Sequence, residues 1–190
     1  MWPLPQSMPA TMILAPVVSD SSPLIAFALI DRFSVLRAIF SALWIRDAVY
    51  DEVVLASGSV TNPGARPVEE AVNVGWIQRL TVHDQEAVQR QMGRLHRGEV
   101  EVVLGAVEYG IPAVLLDDRY ARRLAAAYRL EYTGAVGLLL LAKRRGMIEE
   151  VRPLLAHLRR SGFRMSASLY QEVLHSAQEP DSVENHKESC

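Results

Sequence analysis

Two short apolar runs, Val17-Val18 and Ala113 to Leu116, each end in acid: Ser19-Asp20 after the first, Asp117-Asp118 after the second. A brief apolar run bounded by polar residues reads as a buried strand. Helix-period segments separate these runs and follow them. Strands that alternate with helices return by crossovers rather than tight hairpins, so they form a parallel sheet with helices on both faces. The expected class is α/β, a three-layer α/β/α sandwich with a central, mainly parallel sheet. Ligands of such sheets sit beyond the carboxyl ends of the strands. The two runs therefore predict acids converging at one edge of the sheet.

The remaining elements follow from period and punctuation. Ser22-Pro23 reads as a helix start, with Ser as cap and Pro at the first helical position. PLIAFALI forms that helix and FSVLRAIF a second one after Asp31. ALWIR (42–46) is a strand candidate, and Asp47 caps the helix AVYDEVVLA. Residues 57–67 are a loop by composition. A helix over Val68–Val74 and a strand in WIQRLTV come next. DQEAVQRQMGRL and EVEVVLGAVEY are helices, the latter closed by Gly110 and Pro112. After the 113–116 strand come the helix RYARRLAAAYR and a short link to Thr133-Gly134. Three further helices lie in AVGLLLLAKRR, IEEVRPLLAHLRR and SASLYQEVLHSA. Residues 1–16 read as an extension, 17–178 as the domain, and 179–190 as a tail too polar to bury.

Composition narrows the function classes. A chain of 190 residues suits one domain with a sizeable core. The net charge of -2 does not advertise a nucleic-acid binder, although an acidic metal site can offset local basic patches. One cysteine, Cys190, excludes a disulfide framework and points to a reducing cytoplasm. The histidines are scattered and lack zinc spacing. No apolar run is long enough to span a bilayer, and the first residues carry no Lys or Arg of a signal peptide. Trp44 and Trp76 read as core residues rather than a base-stacking platform.

Each acid has a bland alternative. Asp20 can be a loop acid or helix cap. Glu52 lies near the apolar stripe of its helix, yet can be a solvated flank residue, and Asp51 can substitute for it. Glu99 opens a helix with Val102, Val103 and Ala106 on its face, and there it also complements the helix dipole. Glu101 reads as more solvated. Asp117 and Asp118 form an adjacent pair after an apolar strand, which core packing does not explain, although one of them can cap the next helix. Carboxylates gathered in this way favour hard divalent ions such as Mg²⁺ or Mn²⁺.

VVSDSSPLI and AVYDEVV resemble the opening of PIN-domain nucleases, especially a branch similar to toxins of toxin–antitoxin modules. RGEVEVVLGAVEYGIPAVLLDDRYARRLAAAYRL carries the most specific resemblance: Gly98-Glu99, Asp117-Asp118 and Ala121-Arg122. TGAVGLLLLAKRRGMI and SGFRMSASLYQEVL extend it over roughly residues 17 to 178. The resemblance implies a Mg²⁺- or Mn²⁺-dependent ribonuclease with Asp20, Glu52, Glu99, Asp117 and Asp118 as catalytic candidates. Asp20, Glu99, Asp117 and Asp118 would be the metal ligands. Leu116 stands where a hydroxyl is usual, so Asp117 and Asp118 compete for the last ligand place. Ser21 and Arg122 are candidates for substrate binding, and helix capping is the alternative role for Ser21. RNA, a cognate antitoxin protein and a homodimeric partner are the implied associates. The apolar helices after Phe33 and around Leu138 to Leu141 would offer the antitoxin its grooves. A non-cutting RNA- or protein-binding PIN-like module is the main alternative. A phosphotransfer domain is another, but it would want a second acid close after Asp20, where Ser21-Ser22 stand.

Overall fold

The computed structural model describes residues 15–55, 64–93 and 95–179. The expected extension at 1–16 and the tail at 179–190 therefore lie almost wholly outside the described residues. Five strands form one sheet: β1 (Val17–Ser19), β2 (Leu43–Arg46), β3 (Ile77–Leu80), β4 (Ala113–Leu115) and β5 (Glu131–Thr133). Their order is β3-β2-β1-β4-β5, and every pairing is parallel. The chain builds outward from β1 to one edge, then crosses back to β4 on the other side of β1. The gap between β1 and β4 is the topological switch point, where the connections diverge and leave a crevice.

Side chains alternate across the sheet with period two. Val17, Leu43, Ile45, Ala113 and Leu115 enter one buried cluster; Val18, Val114 and Leu116 enter the other. The first cluster is covered by α1 (Ser21–Leu29), α2 (Phe33–Ile39), α4 (Ala65–Asn73), α8 (Ala135–Arg144), α9 (Arg152–Arg160) and α10 (Ala167–Ser176). The second is covered by α5 (Gln85–Gln91), α6 (Arg97–Glu108) and α7 (Arg119–Ala127). These layers form the expected α/β/α sandwich.

Several boundaries differ from the sequence reading. The first helix begins at Ser21 with Asp20 at its cap position, so Ser22 is inside the helix and Pro23 occupies its first turn. Proline is tolerated there because first-turn N–H groups have no intrahelical acceptor. The helix after β2 is a short α-helical turn, α3 (Asp47–Tyr50), which widens into a π-helical turn over Asp51–Leu55. β5 is a fifth strand where the sequence suggested only a link. Its three residues are too few to show a period, and as an edge strand it keeps Glu131 and Tyr132 at least partly in solvent. Leu138, Leu139, Leu140 and Leu141 of α8 are all buried in the core of the domain.

Candidate acidic site at the switch point

Asp20 and Asp117 leave adjacent strands at the switch point. The Asp20 backbone N–H donates to the Leu115 carbonyl at 3.1 Å, which fixes Asp20 beside β4. Asp20 stands at the cap position of α1, but its carboxylate makes no capping hydrogen bond there. It is therefore not consumed by the local structure. Ser21 is buried in the first turn of α1, directly after this acid.

Asp117 is held more firmly. Its Oδ1 accepts the Ala135 backbone N–H at 3.0 Å, at the start of α8, and lies 3.6 Å from Arg122 Nη2. Arg122 Nε also donates to the Leu116 carbonyl at 2.6 Å, so this side chain staples the turn that carries Asp117. Asp117 Oδ2 is buried and has no partner. Burial pushes the Asp117 carboxyl above its usual range; Arg122 and the Ala135 N–H oppose this, and the Asp20 charge adds to the rise.

Gly134 makes that packing possible. A Cβ placed there would lie 2.2 Å from Arg122 Nη2, 2.3 Å from Asp117 Oδ1 and 2.9 Å from the Leu116 carbonyl oxygen. The backbone at Gly134 is extended, so the requirement is for space rather than for a left-handed conformation.

Asp118 and Glu99 come from the other layer. Asp118 caps α7, its Oδ1 accepting from the Tyr120 and Ala121 N–H groups at 2.6 and 2.8 Å. Glu99, in the first turn of α6, accepts the His96 N–H at 2.9 Å through Oε2. Burial raises the Glu99 carboxyl above its usual range, the His96 N–H counters, and the Asp118 and Asp20 charges push it up further. Asp20, Glu99, Asp117 and Asp118 thus share one electrostatic neighbourhood.

Glu52 has no contact or charge coupling with these acids among the described residues. It is exposed on the π-helical turn and makes no ion pair or hydrogen bond among the described residues. An α-helical period places Glu52 near the apolar stripe, but the wider turn breaks that phase. Glu101 departs from expectation in the opposite direction. Its side chain is only 14% exposed, and it is gripped by Arg46 at 2.8 Å and Arg97 at 2.7 Å. Arg46, the last residue of β2, also places Nη2 3.9 Å from Asp20 Oδ1. The sequence reading passed over Arg46, Glu101 and Gly134 as site residues. The available signals were a cation at a strand's carboxyl end and glycines beside Glu99 and after Thr133.

The donors suit a hard divalent ion in kind. They are carboxylate oxygens, one of them buried and orphaned, and burial, with a smaller push from the neighbouring acids, raises two of them above the usual carboxyl range. Among the described residues, no three Asp, Glu, His or Cys side chains are drawn closely enough to hold an ion as they stand.

The model of the PIN-domain family matches residues 16–179, nearly the whole described chain. The chain belongs to the PIN-domain family. No curated protein matches the sequence. PIN domains are generally nucleases, which agrees with acids placed at the open edge of a parallel sheet. No helix of the described PIN domain is long and apolar enough to cross a membrane.

Proposed function

We propose that this PIN domain is a Mg²⁺- or Mn²⁺-dependent endoribonuclease and serves as the toxin of a toxin–antitoxin pair. The observation that carries the nuclease reading is the convergence of Asp20, Glu99, Asp117 and Asp118 at the switch point, with Asp117 Oδ2 buried and unpaired. A bound divalent ion would supply an activated water and offset phosphodiester charge. The chain's own residues prepare the place. Asp20 and Asp117 hold carboxylates on either side of the crevice, and Glu99 and Asp118 close it from the α6–α7 layer. Arg122 and Gly134 fix the rotamer of Asp117. Ser21 belongs to the first turn of α1, where N–H groups without intrahelical acceptors favour a substrate phosphate. The toxin role, the antitoxin partner, homodimeric pairing and the cytoplasm rest on the resemblance of the sequence to the toxin branch.

A second reading is a PIN-like module that binds RNA or protein without cutting. It is favoured by two observations: the acids are not drawn to ligating distance among the described residues, and an arginine leans on Asp20.

Calorimetric titration of Mn²⁺ into the wild type and into Asp20→Asn/Asp117→Asn, beside cleavage of a structured RNA, separates the two readings. The nuclease reading expects both metal binding and cleavage in the wild type and neither in the variant. A folded wild type that binds no Mn²⁺ would move the conclusion to the non-cutting module.

A further inference from the structure

We infer that Arg46 is a built-in counter-charge of the acidic edge, competing with a divalent ion for Asp20 and thereby setting how tightly that ion binds. The inference rests on the proposed metal-dependent reading and adds a residue to it. Arg46 leaves β2 on the face covered by α6, and its side chain is only 11% exposed. Nη1 donates to Glu101 Oε2 at 2.8 Å, while Nη2 points to Asp20 Oδ1 at 3.9 Å, beyond hydrogen-bond reach. Nε is buried without a partner. The guanidinium is thus anchored on Glu101 and leans toward Asp20 without satisfying it.

The surroundings are shaped for this placement. A Cβ on Gly98 would lie 2.7 Å from Arg46 Nη2, so the glycine before Glu99 leaves room for the guanidinium at the start of α6. Arg97 holds the other oxygen of Glu101 at 2.7 Å, which fixes the anchor. Arginine keeps its charge at any working pH, so this cation does not leave by losing a proton. It is removed from Asp20 only by geometry. The Glu101 anchor supplies that geometry by holding Arg46 more closely than Asp20 does. Two cations near one carboxylate repel, and the arginine therefore weakens binding of the second.

Mn²⁺ titration of the full-length chain by calorimetry, with thermal melts in chelator as a folding control, tests this role. Arg46→Gln is expected to bind Mn²⁺ about tenfold more tightly than the wild type. Arg46→Lys, which keeps the charge, is expected to stay close to wild type. Glu101→Gln releases the anchor, lets Arg46 turn onto Asp20, and is expected to weaken Mn²⁺ binding severalfold. In the Arg46→Gln background the same Glu101 substitution is expected to have a smaller effect, since no guanidinium remains to be released. A purely structural arginine would lower stability without tightening metal binding. Unchanged or weaker Mn²⁺ binding by folded Arg46→Gln, with the wild type binding Mn²⁺, overturns the role of Arg46 and leaves the nuclease reading intact. If Arg46→Gln does not fold, Glu101→Gln decides, and unchanged or tighter binding overturns the inference. Absence of Mn²⁺ binding in both the wild type and Arg46→Gln overturns the metal reading and this inference together.

Discussion

Asp117 depends on a residue that has no side chain. Gly134 sits where any Cβ would overlap the Asp117 carboxylate, the Arg122 guanidinium and the Leu116 carbonyl oxygen. The carbonyl belongs to the backbone beside β4 and cannot swing aside. Gly134→Ala is therefore expected to cost about 1–3 kcal/mol, the usual range for overpacking, read as a lower urea midpoint. An unchanged midpoint would mean that Asp117 and Arg122 turn away freely, and the staple described above would be wrong. Asp118 poses a different question, because capping and metal binding can share one carboxylate. Its Oδ1 accepts two N–H groups at the start of α7. Asn caps about as well as Asp, whereas Ala does not. Asp118→Ala is expected to lose about 1 kcal/mol, and Asp118→Asn much less. Under the proposed function, Asp118→Asn nevertheless weakens Mn²⁺ binding in calorimetry. If it keeps wild-type affinity, Asp118 is a cap alone and Asp117 takes the last ligand place.

At the scale of elements, the strands that end in acid were readable because their chemistry is extreme. Val17-Val18 and Ala113 to Leu116 are apolar because both faces of the sheet are covered, and the acids follow where the cover ends. β5 was not readable, since its Glu-Tyr-Thr is too short to show a period and only Thr133 is buried. The π-helical turn over Asp51–Leu55 was equally hidden: hydrophobic spacing suggested an ordinary helix and placed Glu52 near its apolar stripe. Arg46 and Glu101 could not be paired from sequence because they lie on separate elements that meet only after β2 and α6 dock. Glu179 shows the same difficulty at the end of the domain. The sequence reading placed it at the start of a polar tail. In the structure its carboxylate accepts the Val151 and Arg152 N–H groups at 2.8 Å each and pairs with Lys143, tying the segment just after α10 to α8 and α9. Burial alone would raise this carboxyl, but the Lys143 hydrogen bond, the two N–H donors and the lysine charge outweigh it and hold it below its usual range. A lowered folded-state value means that the unfolded chain binds the proton more readily. The clasp therefore stabilises fully above the ordinary glutamate range and is lost as pH falls through the folded value. Glu179→Gln is expected to melt lower than wild type at neutral pH and to lose less stability on acidification. Parallel pH dependences in the two proteins would show that the clasp contributes nothing to acid sensitivity.

At the scale of the molecule, one arrangement both stabilises the domain and strains its edge. The period-two alternation buries Val17 in one layer and Val18 in the other, so the central strand is sealed on both faces. That seal carries Asp20 and Asp117 to the crevice between β1 and β4, and the docking of α6 and α7 brings Glu99 and Asp118 toward them. Packing thus buries these charges and holds them together, and without a divalent ion their burial, added to by their repulsion, opposes the folded state. An ion that binds the folded domain and not the unfolded chain shifts the unfolding equilibrium by mass action. At about one hundred times the dissociation constant the gain is about 2.7 kcal/mol. For a domain of this size each kcal/mol moves the melting temperature by about 2–4 °C, so Mn²⁺ at that excess is expected to raise it by about 5–10 °C. The rise should grow with the logarithm of the Mn²⁺ concentration and reverse on chelation. It should be absent in Asp20→Asn/Asp117→Asn, whose ion-free form is expected to melt close to the wild-type temperature, because relief of charge burial and repulsion is set against the lost pairing of Asp117 with Arg122. A variant that melts well below the ion-free wild type would show that these carboxylates support the fold rather than strain it. The acidic edge would then be a structural network, and the metal reading would lose its electrostatic argument.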